Sequence, residues 1–306
     1  MLRLIARRAA TSIVPFLCVV IGVFALSRMT GNPASLYLPL TATPAMRRSF
    51  SASHGFNQPV WEQFFHYVEK VVHGNFGTSL WTGRPAMSMV MDAFPNTLIL
   101  AGITMVIAVI VSVTLGSWAA YRPNSVLDKA VSTLAVIAAS VPDFWFALMS
   151  ILVFAVTLQW LPTSGMAGPV SFVLPVLALL INPVGVLSQV TRGEMVTALA
   201  APYVKVARSK GAGEGRIVLR HVLRNALAPT VTVAGTMAVY LINGAVVVET
   251  VFGWPGIGNL TINAIEQRDF ATIEAAVFVI ALAIFILNVL IDVLYAAMDP
   301  RVRPTK

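Results

Sequence analysis

Charged side chains are scarce in this sequence. Asp, Glu, Lys and Arg make up 11% of the 306 residues, whereas soluble domains carry about 25%. Hydrophobic residues account for 57% of the chain, and they gather in several uncharged runs longer than about 18 residues, the length at which a run becomes a candidate membrane span. The composition therefore excludes an ordinary soluble domain and predicts several membrane-spanning helices.

Cysteine and the common catalytic motifs are also missing. The single cysteine, Cys18, lies in an apolar run, so the chain offers no internal disulfide and no cysteine-based metal site. The sequence contains no G-x-x-x-x-G-K-[ST] phosphate loop and no H-E-x-x-H zinc motif, and His54, His66 and His73 all fall in one non-spanning region. We therefore predict no catalytic residue, no metal site, no cofactor and no ATP hydrolysis in this chain.

The uncharged runs predict six membrane-spanning helices. The first run, 9–27, exceeds the apolar core of a cleavable signal peptide, which has about 7 to 15 residues, and we interpret it as an uncleaved helix. The stretch 130–191 carries Asp143 as its one charge and is too long for a single span, so the Pro and Gly residues between 162 and 169 divide it. The predicted fold is an all-α polytopic membrane protein with spans near 9–27, 93–121, 130–158, 171–190, 225–248 and 275–297.

The distribution of positive charge sets the expected orientation. A formal net charge of +8 would suggest nucleic acid in a soluble protein, but most of the 21 Lys and Arg residues here fall on one side of the six spans. Cytoplasmic segments of membrane proteins are enriched in Lys and Arg, so we expect both termini in the cytoplasm and no nucleic-acid partner. The predicted parts are a cytoplasmic N-terminus with the first helix (1–29), an extracytoplasmic region (30–93), a five-helix core (94–297) with a cytoplasmic loop (192–224), and a cytoplasmic tail (298–306).

The predicted cytoplasmic loop 192–224 combines basic and small residues. Ala207 and Gly211 are four positions apart, so on a helix they would form a small-residue stripe that another surface could approach closely. Gly211, with Gly213 and Gly215, would end that helix and permit a turn. The charges alone are equally consistent with a solvated loop that touches anionic lipid.

Two motifs in this loop resemble a known family. The first, Y-x-x-x-A-R-x-K-G, begins at Tyr203, and the second, H-x-L-R-N-A-x-x-P, begins at His221. Both are similar to the EAA loop of ABC importer permeases of the oligopeptide/dipeptide/nickel class. Further segments with the same resemblance are 74–79 (G-N-F-G-T-S), 95–98 (P-N-T-L), 161–165 (L-P-T-S-G), 174–175 (L-P), 191–192 (T-R), 248–258 (V-E-T-V-F-G-W-P-G-I-G), 268–270 (R-D-F) and 299–303 (D-P-R-V-R).

The resemblance implies a type I ABC importer permease fold, similar to the B-like subunit of dipeptide and oligopeptide permeases. It implies a second homologous permease subunit, cytoplasmic ATP-binding subunits that hold ATP and Mg, and an extracytoplasmic solute-binding protein, assembled in the lipid of a bacterial plasma (inner) membrane. The implied function is translocation of peptides or a similar small solute by alternating access. Lys205 stands where the general pattern begins with Glu, so that charge contact is not carried over. The residues implied to couple the chain to its ATPase are Tyr203, Ala207, Arg208, Lys210, Gly211, His221, Arg224 and Asn225.

Two carboxylates within or beside the spans are candidates for the translocation pathway or its gate. An ionisable group near mid-membrane costs about 2.5 to 3.5 kcal/mol on insertion scales, so it tends to face a bundle interior or a cavity. Asp143 follows Pro142 and is either a pathway residue or a cap on a proline-broken helix. Glu249 closes the fifth predicted span, where it meets the partner permease or the binding protein, or lies in interfacial water. The alternative function is a self-contained secondary transporter or channel, although six helices without a second half favour a subunit.

Overall fold

The structure is a computed structural model, and it describes residues 17–22, 24 and 25, 38, 41–53, 57–79 and 81–298, with side chains up to residue 294. Residues 17–22, 24 and 25 are helical, but more than half of the first predicted span, 9–27, lies outside the described residues, as do residues 299–306 of the predicted tail. Within the described part, β structure is limited to one isolated bridge between Thr78 and Pro85. The protein is helical, as its composition predicts.

The helices follow the uncharged runs and extend beyond most of them. Three contain irregular turns: α5 ends in a π-helical segment, Ile151–Thr157, α6 begins with a 3₁₀ turn, Pro169–Phe172, and α8 includes a π-helical segment, Ile217–Val222. The helices are α1 (Pro44–Ser53), α2 (Val60–Val72), α3 (Ala86–Tyr121), α4 (Val126–Ser140), α5 (Asp143–Thr157), α6 (Pro169–Ala200), α7 (Pro202–Ser209), α8 (Glu214–Val251), α9 (Ile257–Glu266) and α10 (Phe270–Met298).

Four of these helices, α3, α6, α8 and α10, are long and apolar enough to cross a membrane by themselves. The predicted span 130–158 is instead two helices, α4 and α5, bent by 98° at the break between them. The break lies at Val141 and Pro142, where the extended backbone of Val141 (φ −82°, ψ 124°) is what a following proline favours. If the bent pair counts as one span, the described chain has five, so the predicted number of six is not confirmed.

The start of α3 shows why some predicted spans were too short. The sequence predicts a span from residue 93, because Asp92 ends the uncharged run, but α3 begins seven residues earlier at Ala86. Asp92 accepts a 2.6 Å hydrogen bond from Arg84, and both side chains are exposed. A charged residue thus ended the apolar run without ending the helix.

Helix α6 is the centre of the bundle, where it contacts α3, α4, α5 and α8. The contact with α3 depends on Gly116, since a Cβ atom there would lie 2.7 Å from the carbonyl oxygen of Ser188 and 2.8 Å from Cβ of Thr191. On another side of α6, a Cβ at Gly185 would lie 2.6 Å from the carbonyl oxygen of Ala135 in α4. Small residues therefore let these helices approach to backbone contact, which is the usual packing of helices in membranes.

Two apolar clusters lie at opposite ends of α3, whose 36 residues span about 54 Å at 1.5 Å per residue. One cluster joins the last turns of α3 and α6 to α7 and the start of α8, and we call this the α7 end. The other joins the first turns of α3, α9 and α10, and we call this the α9 end. Their buried members are Ala120, Met195, Val204, Ile217, Val222 and Ala226 at the α7 end, and Phe76, Ala86, Val90, Ile257, Ala271, Ala275, Ala276 and Val279 at the α9 end.

Candidate functional site

The predicted loop 192–224 is mostly helical. Helix α6 continues to Ala200, α7 is a separate helix of eight residues with Pro202 in its first turn, and α8 starts at Glu214. Proline fits the first turn of a helix because its missing N–H has no intrahelical partner there. Val204 is fully buried among residues of α3, α6 and α8, so α7 is fixed to the end of the bundle by its own core.

The two faces of α7 differ in exposure. Val204 and Ala207 face the bundle, with Ala207 packed against the α7-end cluster. Tyr203 and Val206 face away from it, and Val206 is 51% exposed although its side chain is apolar. The predicted stripe of Ala207 and Gly211 is therefore wrong as a surface for a partner, because Ala207 serves the chain's own packing and Gly211 lies beyond the last helical residue, Ser209.

Gly211 forms the turn that ends α7. Its φ of +78° is in the left-handed region, which glycine adopts without the steric penalty of a Cβ atom. The amide of Gly211 donates to the Arg208 carbonyl at 2.9 Å, and the amide of Ala212 donates to the Ala207 carbonyl at 3.1 Å. These two bonds make a Schellman cap, so the prediction that Gly211 ends the helix is confirmed.

An exposed ion pair closes the turn between α7 and α8. Arg208 donates from Nε to one oxygen of Glu214 at 2.7 Å and from Nη2 to the other at 3.1 Å. The carboxylate raises the pKa of the Arg208 guanidinium above its usual value. Since both side chains are about half exposed, this pair orients the turn more than it stabilises the fold. Lys210, the other predicted basic residue of α7, is also exposed.

The second predicted motif lies on the first turns of α8. Ile217, Val222 and Ala226 are buried in the α7-end cluster. His221, Arg224 and Asn225 are exposed, so they share the α7 end with the outer face of α7. The structure thus brings the predicted coupling residues together at one end of the molecule, with Ala207 as the member that faces inward.

An ion pair between α4 and α6, which was not predicted from the sequence, stabilises the α7 end. Two guanidinium nitrogens of Arg192 in α6, Nε and Nη2, donate to Asp128 in α4, and the Nη2 bond is 2.8 Å long. Asp128 is buried, and its carboxylate also accepts the amide of Asn124, while Ser125 caps the helix by accepting the amide of Asp128. The sequence S-x-x-D signals this capping arrangement, but nothing in the sequence signals a partner 64 residues away.

Asp143 is tied to another helix and does not cap its own. It is the first residue of α5, one position after the N-cap residue Pro142, and its carboxylate makes no hydrogen bond to the first turn of α5 among the described residues. Its Oδ2 accepts a 2.7 Å hydrogen bond from the hydroxyl of Tyr240 in α8, and Gly244, one turn further along α8, lies beside the same oxygen. Its Oδ1 is buried and has no hydrogen-bond partner among the described residues. The capping interpretation fails, and Tyr240 is a residue that sequence reasoning missed.

Glu249 occupies a sealed polar site at the α9 end. The side chain is fully buried, so the expectation that it meets a partner protein or interfacial water is wrong for this structure. One carboxylate oxygen accepts the hydroxyl of Thr97 in α3 at 2.5 Å, and the other accepts the amides of Gly258 at 2.7 Å and Asn259 at 3.3 Å. Those amides belong to the first turn of α9, where free N–H groups and the helix dipole favour an anion.

The glycines after Glu249 make this site possible. A Cβ at Gly256 would collide with the Glu249 carboxylate, and one at Gly258 would lie 2.9 Å from its Oε2 and collide with the backbone of Val246. Thr97 completes the connection, because its hydroxyl oxygen also accepts the amide of Ile257 at 2.9 Å. The segment V-E-T-V-F-G-W-P-G-I-G thus encodes a corner in which the end of α8, the start of α9 and α3 are hydrogen-bonded together.

Comparison with known proteins identifies the family. Residues 112–304 match the family described as binding-protein-dependent transport system inner membrane component. Residues 1–101 match its N-terminal counterpart, the binding-protein-dependent transport system membrane component, N-terminal. The two matches together cover nearly the whole chain.

Curated relatives align with this chain over almost its full length. A probable peptide ABC transporter permease protein, y4tP, of Sinorhizobium fredii is 34% identical over 98% of each chain. The oligopeptide transport system permease protein AppB of Bacillus subtilis is 34% identical over 97% of this chain and 98% of its own. The glutathione transport system permease protein GsiC of Escherichia coli is 37% identical over 90% of each chain.

Two solved structures have the same fold at low sequence identity. The MetNI methionine ABC transporter, described in inward-facing conformations, matches with a TM-score of 0.58 and 15% identity over 70% of this chain and 97% of that chain. An amino acid ABC transporter with histidines matches with a TM-score of 0.52 and 17% identity over 70% of this chain and 94% of that chain. The family matches, the relatives and the fold agree that this chain belongs to the binding-protein-dependent transport system inner membrane components, as the membrane permease subunit of an ABC importer and not its ATPase.

Proposed function

We propose that this permease carries peptides or a similar small solute across a bacterial inner membrane by alternating access. Relatives named for peptide, oligopeptide and glutathione transport support this class of cargo. One further homologous permease subunit pairs with this chain, and cytoplasmic ATP-binding subunits bind ATP and Mg and hydrolyse the ATP. A ligand or partner drives such a change only by binding one of two conformations more strongly than the other.

The exposed face of α7 is the observation that carries this proposal. An apolar side chain that stays 51% exposed on a helix fixed by a buried valine is suited to a protein partner. Tyr203 beside Val206 adds an aromatic ring of the kind enriched at interfaces. In the proposed complex this face enters a cleft of the ATP-binding subunit, and His221, Arg224 and Asn225 flank it.

The buried contacts of α7 with the neighbouring helices would transmit its movement into the bundle. Val204 connects α7 to α3, α6 and α8, and the Arg192–Asp128 pair connects the same end of α6 to α4. A displacement of α7 by closing ATPase subunits would then move these helices as a packed unit, since close-packed interiors transmit strain. This is the element that two-state movement in such a transporter requires.

The proposed orientation places the α7 end in the cytoplasm and the α9 end outside, facing the solute-binding protein. The predicted division into 1–29, 30–93, 94–297 and 298–306 follows this orientation. Asp143 remains our candidate for the pathway, because one carboxylate oxygen has no partner among the described residues and the other lies beside Gly244. In this proposal Glu249 stabilises the outer end of the permease by holding α3, α8 and α9 together, and it does not contact cargo.

Co-purification and reconstitution test the proposal. The chain, expressed with the other components of its transport system, should be recovered with a second permease and ATP-binding subunits, and proteoliposomes should take up peptide only with ATP and binding protein. Val206→Glu should lower the recovery of ATP-binding subunits while the second permease stays bound. Transport by the isolated chain in proteoliposomes would overturn the proposal and favour a self-contained transporter.

A further inference from the structure

Helix α2 exposes large apolar side chains at the α9 end. Trp61, Phe65 and Val72 are 62%, 67% and 76% exposed. They are four and seven residues apart, so they form one ridge along a helix with about 3.6 residues per turn. Such a ridge on a helix of only 13 residues requires a partner surface.

The remaining residues of α2 divide into two further faces. Phe64 and Tyr67 contact the ring of Phe24 in the first helical segment, with ring centroids 5.2 and 5.3 Å apart. Val71, on the same face, packs against the α9-end cluster. The polar residues of α2 form the third face, which carries Glu62, Gln63, His66, Glu69 and Lys70.

The order of these three faces defines the position of α2 relative to a membrane. At about 100° per residue, the face of Phe64 and Val71, the exposed apolar ridge and the polar face follow one another around the helix, each roughly a third of a turn from the next. A helix lying flat beside a bundle at a membrane surface needs this order. One face contacts the protein, the next enters lipid, and the third faces water.

The neighbourhood of α2 supports lipid as the occupant. Val71 packs on the cluster formed by the first turns of the membrane-spanning helices α3 and α10, so α2 lies against helices that enter the membrane. At the same level Trp81 is 66% exposed and donates from Nε1 to the carbonyl of Gln267 at 2.7 Å. Tryptophan concentrates at the boundary between headgroups and acyl chains.

We propose that α2 is an interfacial helix, seated in the leaflet at the α9 end with Trp61, Phe65 and Val72 among the acyl chains and with Glu62 and Glu69 in water. The region 30–93, predicted as extracytoplasmic, thereby contains a membrane-bound helix and is not wholly solvated. In this position, α2 holds the first helical segment against the bundle at the membrane surface through Phe24.

Two adjacent positions give a matched test. In the Cys18→Ser background, Phe65→Cys and His66→Cys place a fluorophore on the apolar ridge and on the polar face, in the full chain reconstituted in lipid nanodiscs. A phospholipid with a nitroxide near the top of its acyl chain should quench the label at position 65 at least about twofold more than the label at 66, because only the ridge is in lipid. Aqueous iodide should give the reverse order.

Three outcomes decide the proposal. Reciprocal quenching by lipid and iodide supports it. Iodide quenching at position 65 as strong as at position 66 overturns it, since the ridge would then be in water. Iodide access at 65 that is lost when solute-binding protein is added would instead make the ridge a protein-docking surface, which also overturns it. Val72→Cys is a second reporter on the same ridge if Phe65→Cys does not accumulate.

Discussion

The hydroxyl of Thr97 donates a 2.5 Å hydrogen bond to the carboxylate of Glu249, although 152 residues separate them in the chain. The same carboxylate accepts two amides at the start of α9. A single buried side chain therefore satisfies donors from two other parts of the fold. Removing it leaves these donors without a partner, and an unsatisfied buried polar group costs about 1–3 kcal/mol.

Gly256→Ala should destabilise the protein because the added methyl group collides with this fixed carboxylate. Overpacking of this kind costs about 1–3 kcal/mol, so we expect a lower unfolding temperature of the purified protein in detergent. Gly102→Ala is the matched control, since a Cβ at Gly102 would meet no atom within 4 Å from the rest of the chain that the structure describes, its own helix backbone and neighbours aside. In the Glu249→Ala background the effect of Gly256→Ala should shrink, because the colliding group is absent. Equal effects in both backgrounds would show that the collision is not with Glu249.

Two neighbouring substitutions in α7, Val206→Glu and Ala207→Trp, should impair the permease at different steps: the first in ATPase binding and the second in folding. Val206 is exposed, so its substitution should leave the permease folded while it weakens binding of the ATP-binding subunits and their cargo-stimulated hydrolysis. Ala207 packs into the α7-end cluster, so a tryptophan there should lower the yield of folded protein. Arg208→Ala should be milder than either, because its ion pair is exposed. Normal ATPase binding by Val206→Glu would show that this face does not couple the subunits.

Gly211→Leu is a poorer test of coupling than Val206→Glu. The φ of +78° at Gly211 is strained for any residue with a Cβ atom, by about 1–2 kcal/mol. We expect Gly211→Ala and Gly211→Leu to reduce ATPase coupling to a similar extent, because both disturb the cap of α7 and the space beside Gly211 is open. Cargo-stimulated ATP hydrolysis by the reconstituted complex measures this. A normal Gly211→Ala beside an inactive Gly211→Leu would point instead to steric exclusion of a partner.

Arg192→Ala should destabilise the α7 end, because it leaves the buried Asp128 carboxylate without its cation. Removing one partner of a buried pair costs about 3–5 kcal/mol, and we expect less here, about 2–3 kcal/mol, because Arg192 is 32% exposed. Arg192→Lys should be intermediate, as it keeps the charge and loses the two-pronged geometry. Thermal unfolding in detergent measures the order, with Arg224→Ala as an exposed control.

Asp143→Leu should impair transport more than assembly if the carboxylate serves the pathway. Tyr240→Phe separates this role from a structural one, since it removes only the hydroxyl that donates to Asp143. We expect Tyr240→Phe to retain most peptide uptake in proteoliposomes while Asp143→Leu loses it. Equal losses, matched by equal losses of complex yield, would mean that Asp143 acts only by joining α5 to α8.

Single cysteines at Lys70 and Lys205 should report opposite sides of the membrane. Lys70 is on the polar face of α2 and Lys205 is exposed on α7. In a background without Cys18, a membrane-impermeant maleimide should label position 70 in intact cells and position 205 only in inside-out vesicles. Labelling in the reverse order would invert the proposed orientation.

The sequence predicted the elements that depend on local patterns. Uncharged runs located the long helices, and the glycine at 211 located the end of α7, because both signals act over a few residues. The size of the bend at Pro142 was not predicted, and the two helices on either side of it were predicted as one span. A proline can also be accommodated inside a helix, as Pro95 is in α3. The partners of Asp143, Glu249 and Arg192 were unpredictable from the sequence, because they lie 97, 152 and 64 residues away and depend on which helices pack together.

The central position of α6 has a consequence for how the chain is made. Helix α3 leaves the ribosome well before α6, yet its Gly116 face packs against the backbone of α6. Until residue 200 has been synthesised, that face and the Ala135 face of α4 must be shielded by lipid or by the insertion machinery. A nascent chain that stops after α5 thus lacks the helix on which α3 and α4 assemble, and we expect membrane quality-control proteases to degrade it.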